Sequence, residues 1–232
     1  MRSPADPLQP TTLVDRDRPD EHTRSTPHDH LQDQVSETVC WLTRGGSITR
    51  PRLRDEPLDL KRGLRDLLYL HDNELSDIPD SLGNLTRLRY LNVSENVLTR
   101  LPEAIGRMTG LIELRVQHNQ LITLPDTIGQ LGNLRELWLR GNAIETLPSS
   151  MTGLHKLRHL DLRENALLEL PQPLAGLPRL RHLGARSNRL TALPDWVIDM
   201  PSLEKLDLRW NACAPSRSLL IELERRGCVV LL

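Results

Sequence analysis

Four arginines, Arg140, Arg163, Arg186 and Arg209, stand 23 residues apart. A guanidinium is a permanent cation whose planar fork of donors fits carboxylates and phosphates. Arg115, Trp138 and Asp161 keep the same interval two positions earlier, and His159 and His182 keep it two positions earlier again. The chain holds four Trp, two Tyr and no Phe, yet Tyr69, Tyr90 and Trp138 all fall in this frame, with Trp210 directly after Arg209. Arginine and large aromatics are the residue types that dominate interface energetics. Two chemistries suit the set. One is docking of an acidic or mixed-charge protein segment; the other is binding of phosphate or nucleic acid along the arginines, which would be strongly salt-dependent. Asp161, Asp207, Glu164 and Glu136 lie in the same frame and can offset the arginines. Those interleaved acids argue against nucleic acid, and they also allow a plainer role, a self-neutralising charged face that keeps the molecule in solution.

Other reactive residues form no recognisable site. His22, His28 and His30 cluster loosely in a polar stretch with nothing to hold a metal geometry. Cys40, Cys213 and Cys228 are sparse and odd in number, which points to a reducing compartment, with a Cys213–Cys228 bridge left open. Cys228 has no base beside it in sequence. No nucleophile–base pair, phosphate-cradling glycine loop or metal-ligand spacing is present. The expectation is therefore no catalytic, cofactor-binding or metal-binding residue, and no enzyme.

The elements that position the frame repeat with it. Asn73, Asn96, Asn119, Asn142, Asn165, Asn188 and Asn211 are spaced by 23 residues without a break. Around each sits the same phrase, clearest in Leu134-Arg-Glu-Leu137-Trp-Leu139-Arg-Gly-Asn142-Ala-Ile144 with Leu147-Pro148 following. Two leucines two residues apart put both side chains on one face of a short strand. The asparagine turns the chain, its amide able to satisfy backbone groups of the bend and of the neighbouring coil. Proline fixes φ and lacks a donor, so Leu101-Pro102, Leu124-Pro125, Leu147-Pro148, Leu170-Pro171 and Leu193-Pro194 start return turns, each ending in a short helical turn.

On these residues the chain resembles the leucine-rich repeat family in its 23-residue form, over residues 65 to 213. That form is familiar from the Ras-associated group of plant and animal proteins and from bacterial proteins, some of them secreted effectors. The resemblance implies an α/β solenoid: a horseshoe with a parallel β-sheet on its concave side, short turns or helices on its convex side, and seven stacked repeats. Strand residues that alternate with the inward leucines would then line the concave face. The central column reads Tyr69, Asn92, Arg115, Trp138, Asp161, Gly184, Asp207. Its neighbours read Leu67, Tyr90, Glu113, Glu136, His159, His182, Lys205 and His71, Ser94, Gln117, Arg140, Arg163, Arg186, Arg209.

Outside the array, residues 1–38 are polar and aperiodic and are expected to be disordered. Their Ser, Thr and Pro content also suits the secretion signal of bacterial type III effectors. Residues 39–64 form a transition in which Leu58 and Leu60, with Trp41, are expected to cover the first coil. Arg65 replaces the leucine that opens later coils, and Ala185 thins the sixth. Residues 214–232 are expected to cap the array, with a helix over 216–226 carrying Leu219, Leu220 and Leu223, a stop at Gly227, and a last strand from Cys228.

Thirty basic and 31 acidic side chains nearly cancel, so bulk charge selects neither nucleic acid nor membrane. Of the 30, three are Lys and the rest Arg. No stretch is long and apolar enough to span a bilayer, and Met1 to Pro10 lack a signal-peptide core. Asn84-Leu-Thr86 and Asn92-Val-Ser94 match the glycosylation pattern by chance recurrence. The function expected is a monomeric, cytoplasmic protein-interaction module or scaffold, with a signalling role or, alternatively, a secreted effector acting in a host cell. Its partner-binding residues would be Tyr69, Tyr90, Arg115, Trp138, Arg140, His159, Asp161, Arg163, His182, Arg186, Arg209 and Trp210. Seven strands span about 29 Å, which suits a protein interface of about 800 Å² per side. Trp138→Ala and Arg163→Glu are expected to leave thermal stability nearly unchanged, as surface substitutions.

Overall fold

A computed structural model describes residues 66–232. The expectations for 1–38 with its histidines, and for 39–64 with Cys40, Trp41, Leu58 and Leu60, lie outside the described residues, as does Arg65.

Each coil begins with a three-residue strand: β1 Leu67–Tyr69, β2 Tyr90–Asn92, β3 Glu113–Arg115, β4 Glu136–Trp138, β5 His159–Asp161, β6 His182–Gly184 and β7 Lys205–Asp207. With β8 (Val229–Leu231) they form one eight-stranded sheet in sequence order, every pair parallel. The register advances by one full repeat per strand, so Tyr90, Glu113, Glu136 and His159 stand side by side, as do Leu91, Leu114, Leu137 and Leu160. The leucine row is fully buried, and so are Val93, Val116, Leu139 and Leu162 two residues on.

The return path is a 3-10 turn rather than an α-helix. Pro102 holds φ −69° and ψ 149° ahead of Glu103–Arg107, and Pro79, Pro125, Pro148, Pro171 and Pro194 do the same for their coils. Five residues suffice to bring the next apolar pair, such as Ile105 and Met108, back into the core. Ala185 is fully buried in its thinner coil. The array ends in α1 (Arg217–Arg225), whose first turn is capped by the Ser216 hydroxyl accepting from the Leu219 amide at 3.3 Å. Leu219 and Leu223 bury themselves against the last coil, Gly227 reverses the chain at φ +81°, and β8 extends the sheet. Cys213 and Cys228 are free thiols, and burial pushes both upward from the ordinary thiol pKa.

What joins coil to coil is the asparagine. Asn119 donates to the carbonyls of Val116 and Gln117 in its own coil and of Val93 in the coil before, at 3.2, 3.2 and 3.0 Å. Its Oδ1 accepts from the Leu98 amide, also of the previous coil, at 3.0 Å. Asn96, Asn142, Asn165, Asn188 and Asn211 repeat both links to the preceding coil. The bend they serve is strained. The residue before each asparagine has positive φ, at Asp72, Glu95, His118, Gly141, Glu164, Ser187 and Trp210, and a single one of the seven is glycine. A non-glycine residue there costs about 1 kcal/mol or more, and the side-chain amide bonds offset it.

Asn119→Ala should therefore cost about 2–4 kcal/mol, because it strands buried carbonyls and an amide on two coils. Asn73→Ala should cost roughly half that or less, since among the described residues its amide serves its own coil alone, through Leu70 and His71. Urea denaturation of both variants checks this; equal losses would refute the inter-coil role.

Candidate functional site

The strand register sets the three columns read from the sequence side by side on the face opposite the leucine row. Opposite the core is not the same as open to solvent. Asn92, Ser94, Asp161 and Asp207 are buried although they point outward, because longer neighbours close over them. Asn92 uses its Oδ1 to accept from the Ser94 amide and hydroxyl, at 3.0 and 2.7 Å, which leaves its glycosylation match a structural bend.

The arginines meet different partners. Arg163 binds Asp161 bidentately, Nε to Oδ1 at 2.8 Å and Nη2 to Oδ2 at 2.6 Å, and the Asp161 side chain is 2% exposed. Arg209 binds Asp207 in the same way at 2.9 and 2.8 Å, and these hydrogen bonds hold the Asp207 carboxyl below the usual range. Arg140 reaches Glu164 of the next coil at 2.8 Å, and Arg115 reaches Glu113 at 2.6 Å. Glu136 accepts instead from the Trp138 indole at 3.2 Å. Arg186 differs from all of these. It forms no ion pair among the described residues and lies over the Trp210 ring at 4.1 Å from the centroid. The arginine column is thus neutralised at three of its four positions.

The rings form a ladder across coils. Tyr69 and Tyr90 are 5.0 Å apart between centroids, Arg115 lies over both Tyr90 (5.8 Å) and Trp138 (5.2 Å), Trp138 stacks on His159 at 4.2 Å, and His159 meets His182 edge-on at 5.7 Å. Every rung is one coil above the last, which the 23-residue period guarantees. Tyr69 and Trp210 are well exposed, whereas Tyr90 and Trp138 are half-buried within the ladder. Sequence reasoning listed Gly184 in the central column without weighing it. It leaves a groove of about 240 Å³ bounded by Trp138, His159, His182, Lys205 and Asp207. The signal was legible: six coils place a side chain there and the seventh places none. A longer open furrow of about 990 Å³ follows the stacked Leu-Pro turns, away from this face. Among the described residues, no group of three metal-ligating side chains is assembled and no helix is long and apolar enough to cross a membrane.

Two expectations change with these contacts. Arg163→Glu is not a neutral surface change: it would set a second carboxylate against buried Asp161 and cost at least about 2 kcal/mol. His159 is no free surface imidazole either. Burial against Trp138 lowers its pKa, with His182 and Arg163 acting in the same direction and Asp161 and Glu136 opposing. The folded state therefore favours neutral His159. Unfolded His titrates near 6.5, so stability should hold above that pH and fall on acidification from there through the lower folded value. His159→Gln should flatten this part of a stability–pH curve; an unchanged slope would assign the dependence elsewhere.

Comparisons agree with this architecture. The family model described as leucine rich repeat matches residues 66–121, and that described as leucine-rich repeat region matches 126–225. No curated protein sequence matches the chain. Among solved structures, a leucine-rich repeat protein of Leptospira interrogans is 28% identical with a TM-score of 0.68, over 71% of this chain and 42% of that one. The leucine-rich repeat domain of the type III effector XopL is 25% identical with a TM-score of 0.62, over 84% and 64%. The Arabidopsis receptor kinase HAESA, solved in complex with the peptide hormone IDA and the co-receptor SERK1, is 32% identical with a TM-score of 0.59, over 70% and 28%. This chain thus spans less than half the length of the Leptospira and Arabidopsis chains. A uniform 23-residue register, an unbroken asparagine ladder, an ordered parallel sheet and two family matches that together cover more than half the sequence place the chain in the leucine-rich repeat family.

Proposed function

We propose that this protein is a non-enzymatic interaction module that binds a protein partner across the sheet face, with residues 65–213 as the binding unit and 214–232 as its cap. The observation that carries it is Trp210. This bulky aromatic is 72% exposed and sits at φ +60°, a conformation that disfavours any side chain, directly over an arginine. Folding gains nothing from an exposed ring in a strained position, so its presence fits selection for contact. The ring and guanidinium ladder from Tyr69 to His182 supplies further anchors of the kind that concentrate binding energy. HAESA, whose repeats this chain is similar to, was solved with a peptide and a protein bound. The neutralised arginines count against a phosphate or nucleic-acid ligand, since each would have to give up a carboxylate first. The likeness to the XopL repeat domain favours, as a second reading, a secreted bacterial effector that engages a host protein. Free Cys213 and Cys228 support a reducing, cytoplasmic setting for either.

The test is affinity capture from source-organism lysate with wild type, Trp138→Ala and Trp210→Gly. Trp210→Gly should leave the melting temperature unchanged or raise it by relieving the strained bend, while weakening retention at least about tenfold, the effect of losing one anchor. Retention of the same proteins by all three, with folding intact, would refute the sheet face as the docking site.

A further inference from the structure

The three columns of the sheet face carry six cations: Arg115, Arg140, Arg163, Arg186, Lys205 and Arg209. Four hold a carboxylate through Glu113, Glu164, Asp161 and Asp207. Among the described residues, the two that form no ion pair are Arg186 and Lys205. They belong to neighbouring strands. Lys205 lines one side of the groove at Gly184, and Arg186 stands two residues beyond Gly184 in the outer column. The unspent positive charge of this face therefore flanks the one place where the central column lacks a side chain. A Cβ at Gly184 would lie 3.2 Å from Asp161 Oδ1 and 3.3 Å from Arg163 Cγ, so the glycine is what keeps the groove open.

We propose that this groove receives an acidic side chain, Asp or Glu, of the protein partner; the inference rests on the sheet face being the docking surface. Charge decides the class. Asp161 and Asp207 are each covered by a bidentate guanidinium, so the ion pairs at the groove are neutral and Lys205 and Arg186 set its sign. A basic side chain would meet Lys205 and the Arg163 guanidinium with no unmatched carboxylate to receive it. An apolar one would remove Lys205 from water with no counter-charge, a penalty that an incoming carboxylate cancels. Arg186 is preorganised for it: the Trp210 ring holds the guanidinium plane, and its buried Nε has no partner. A planar, immobilised fork loses little entropy on gripping a carboxylate.

The experiment titrates isotope-labelled protein with three blocked tetrapeptides, of glutamate, lysine and serine, and follows backbone amides and the Trp indoles by NMR. The glutamate peptide should shift the Gly184 amide and the Trp210 indole saturably, and the other two should not. Lys205→Ala and Arg186→Ala should each weaken this at least about fivefold, consistent with loss of one charge-assisted contact, while Arg115→Ala leaves it unchanged. Shifts centred on Tyr69 to Trp138, equal response to the lysine peptide, equal weakening by Arg115→Ala, or no shift with any peptide would each overturn the proposal. Its failure is separable from that of the docking face: a captured partner lost by Trp210→Gly but retained by Lys205→Ala leaves the face standing and removes the groove.

Discussion

One side-chain amide holds this molecule in register. A coil of 23 residues with a three-residue strand has too few backbone hydrogen bonds of its own to bury a bend. The asparagine at that bend supplies them, and it does so across the coil boundary: Asn119 serves Val93 and Leu98 behind it as well as Val116 beside it. Each coil is thereby fastened to the one before, and the leucine row closes into a continuous core. Stability becomes a sum of nearest-neighbour interfaces, which is why six different non-glycine residues tolerate the left-handed position beside the asparagine.

The same constraint shapes the open face. Stacking identical coils at about 4.8 Å puts like positions next to one another, and four arginines in one column would repel. The sequence offsets this within the frame, by acids two residues before an arginine (Asp161, Asp207) or on the bend of the next coil (Glu164). Bidentate pairing then draws Asp161 and Asp207 down until both are buried, although they point away from the core. Much of the charge on this face is therefore structural. What remains for recognition is what lies outside the pairing: the stacked rings, Trp210 in its strained bend, and the two cations beside Gly184.

The asymmetry between the two halves of the face follows from these few exceptions. From β1 to β4 the outward columns carry tyrosines, Arg115 and Trp138, which touch one another. From β5 to β7 the rings give way to His159 and His182, then to a gap at Gly184 flanked by positive charge. An aromatic end and a cationic end on one rigid sheet suit an elongated partner segment better than a compact small molecule.

Period 23 and the Leu-x-Leu-x-x-Asn phrase were enough, without coordinates, to establish the solenoid, the strand register and the membership of all three columns. The reason is that every coil must repeat the same inward set to close one core, so the pattern is written seven times. The helix and final strand after Cys213 were legible for a related reason, since apolar spacing and Gly227 mark them locally. The contacts among outward side chains were decided by the fold alone. That Arg163 and Arg209 grip their own strand's aspartate, that Arg140 crosses to the next coil, and that Arg186 turns to Trp210 depend on rotamers and neighbours one coil away, at equal sequence separation in every case. The groove at Gly184 is of the same kind: a missing side chain is visible in the sequence, but its bounding by Trp138, His159 and Lys205 exists in the stacked sheet and nowhere along the chain.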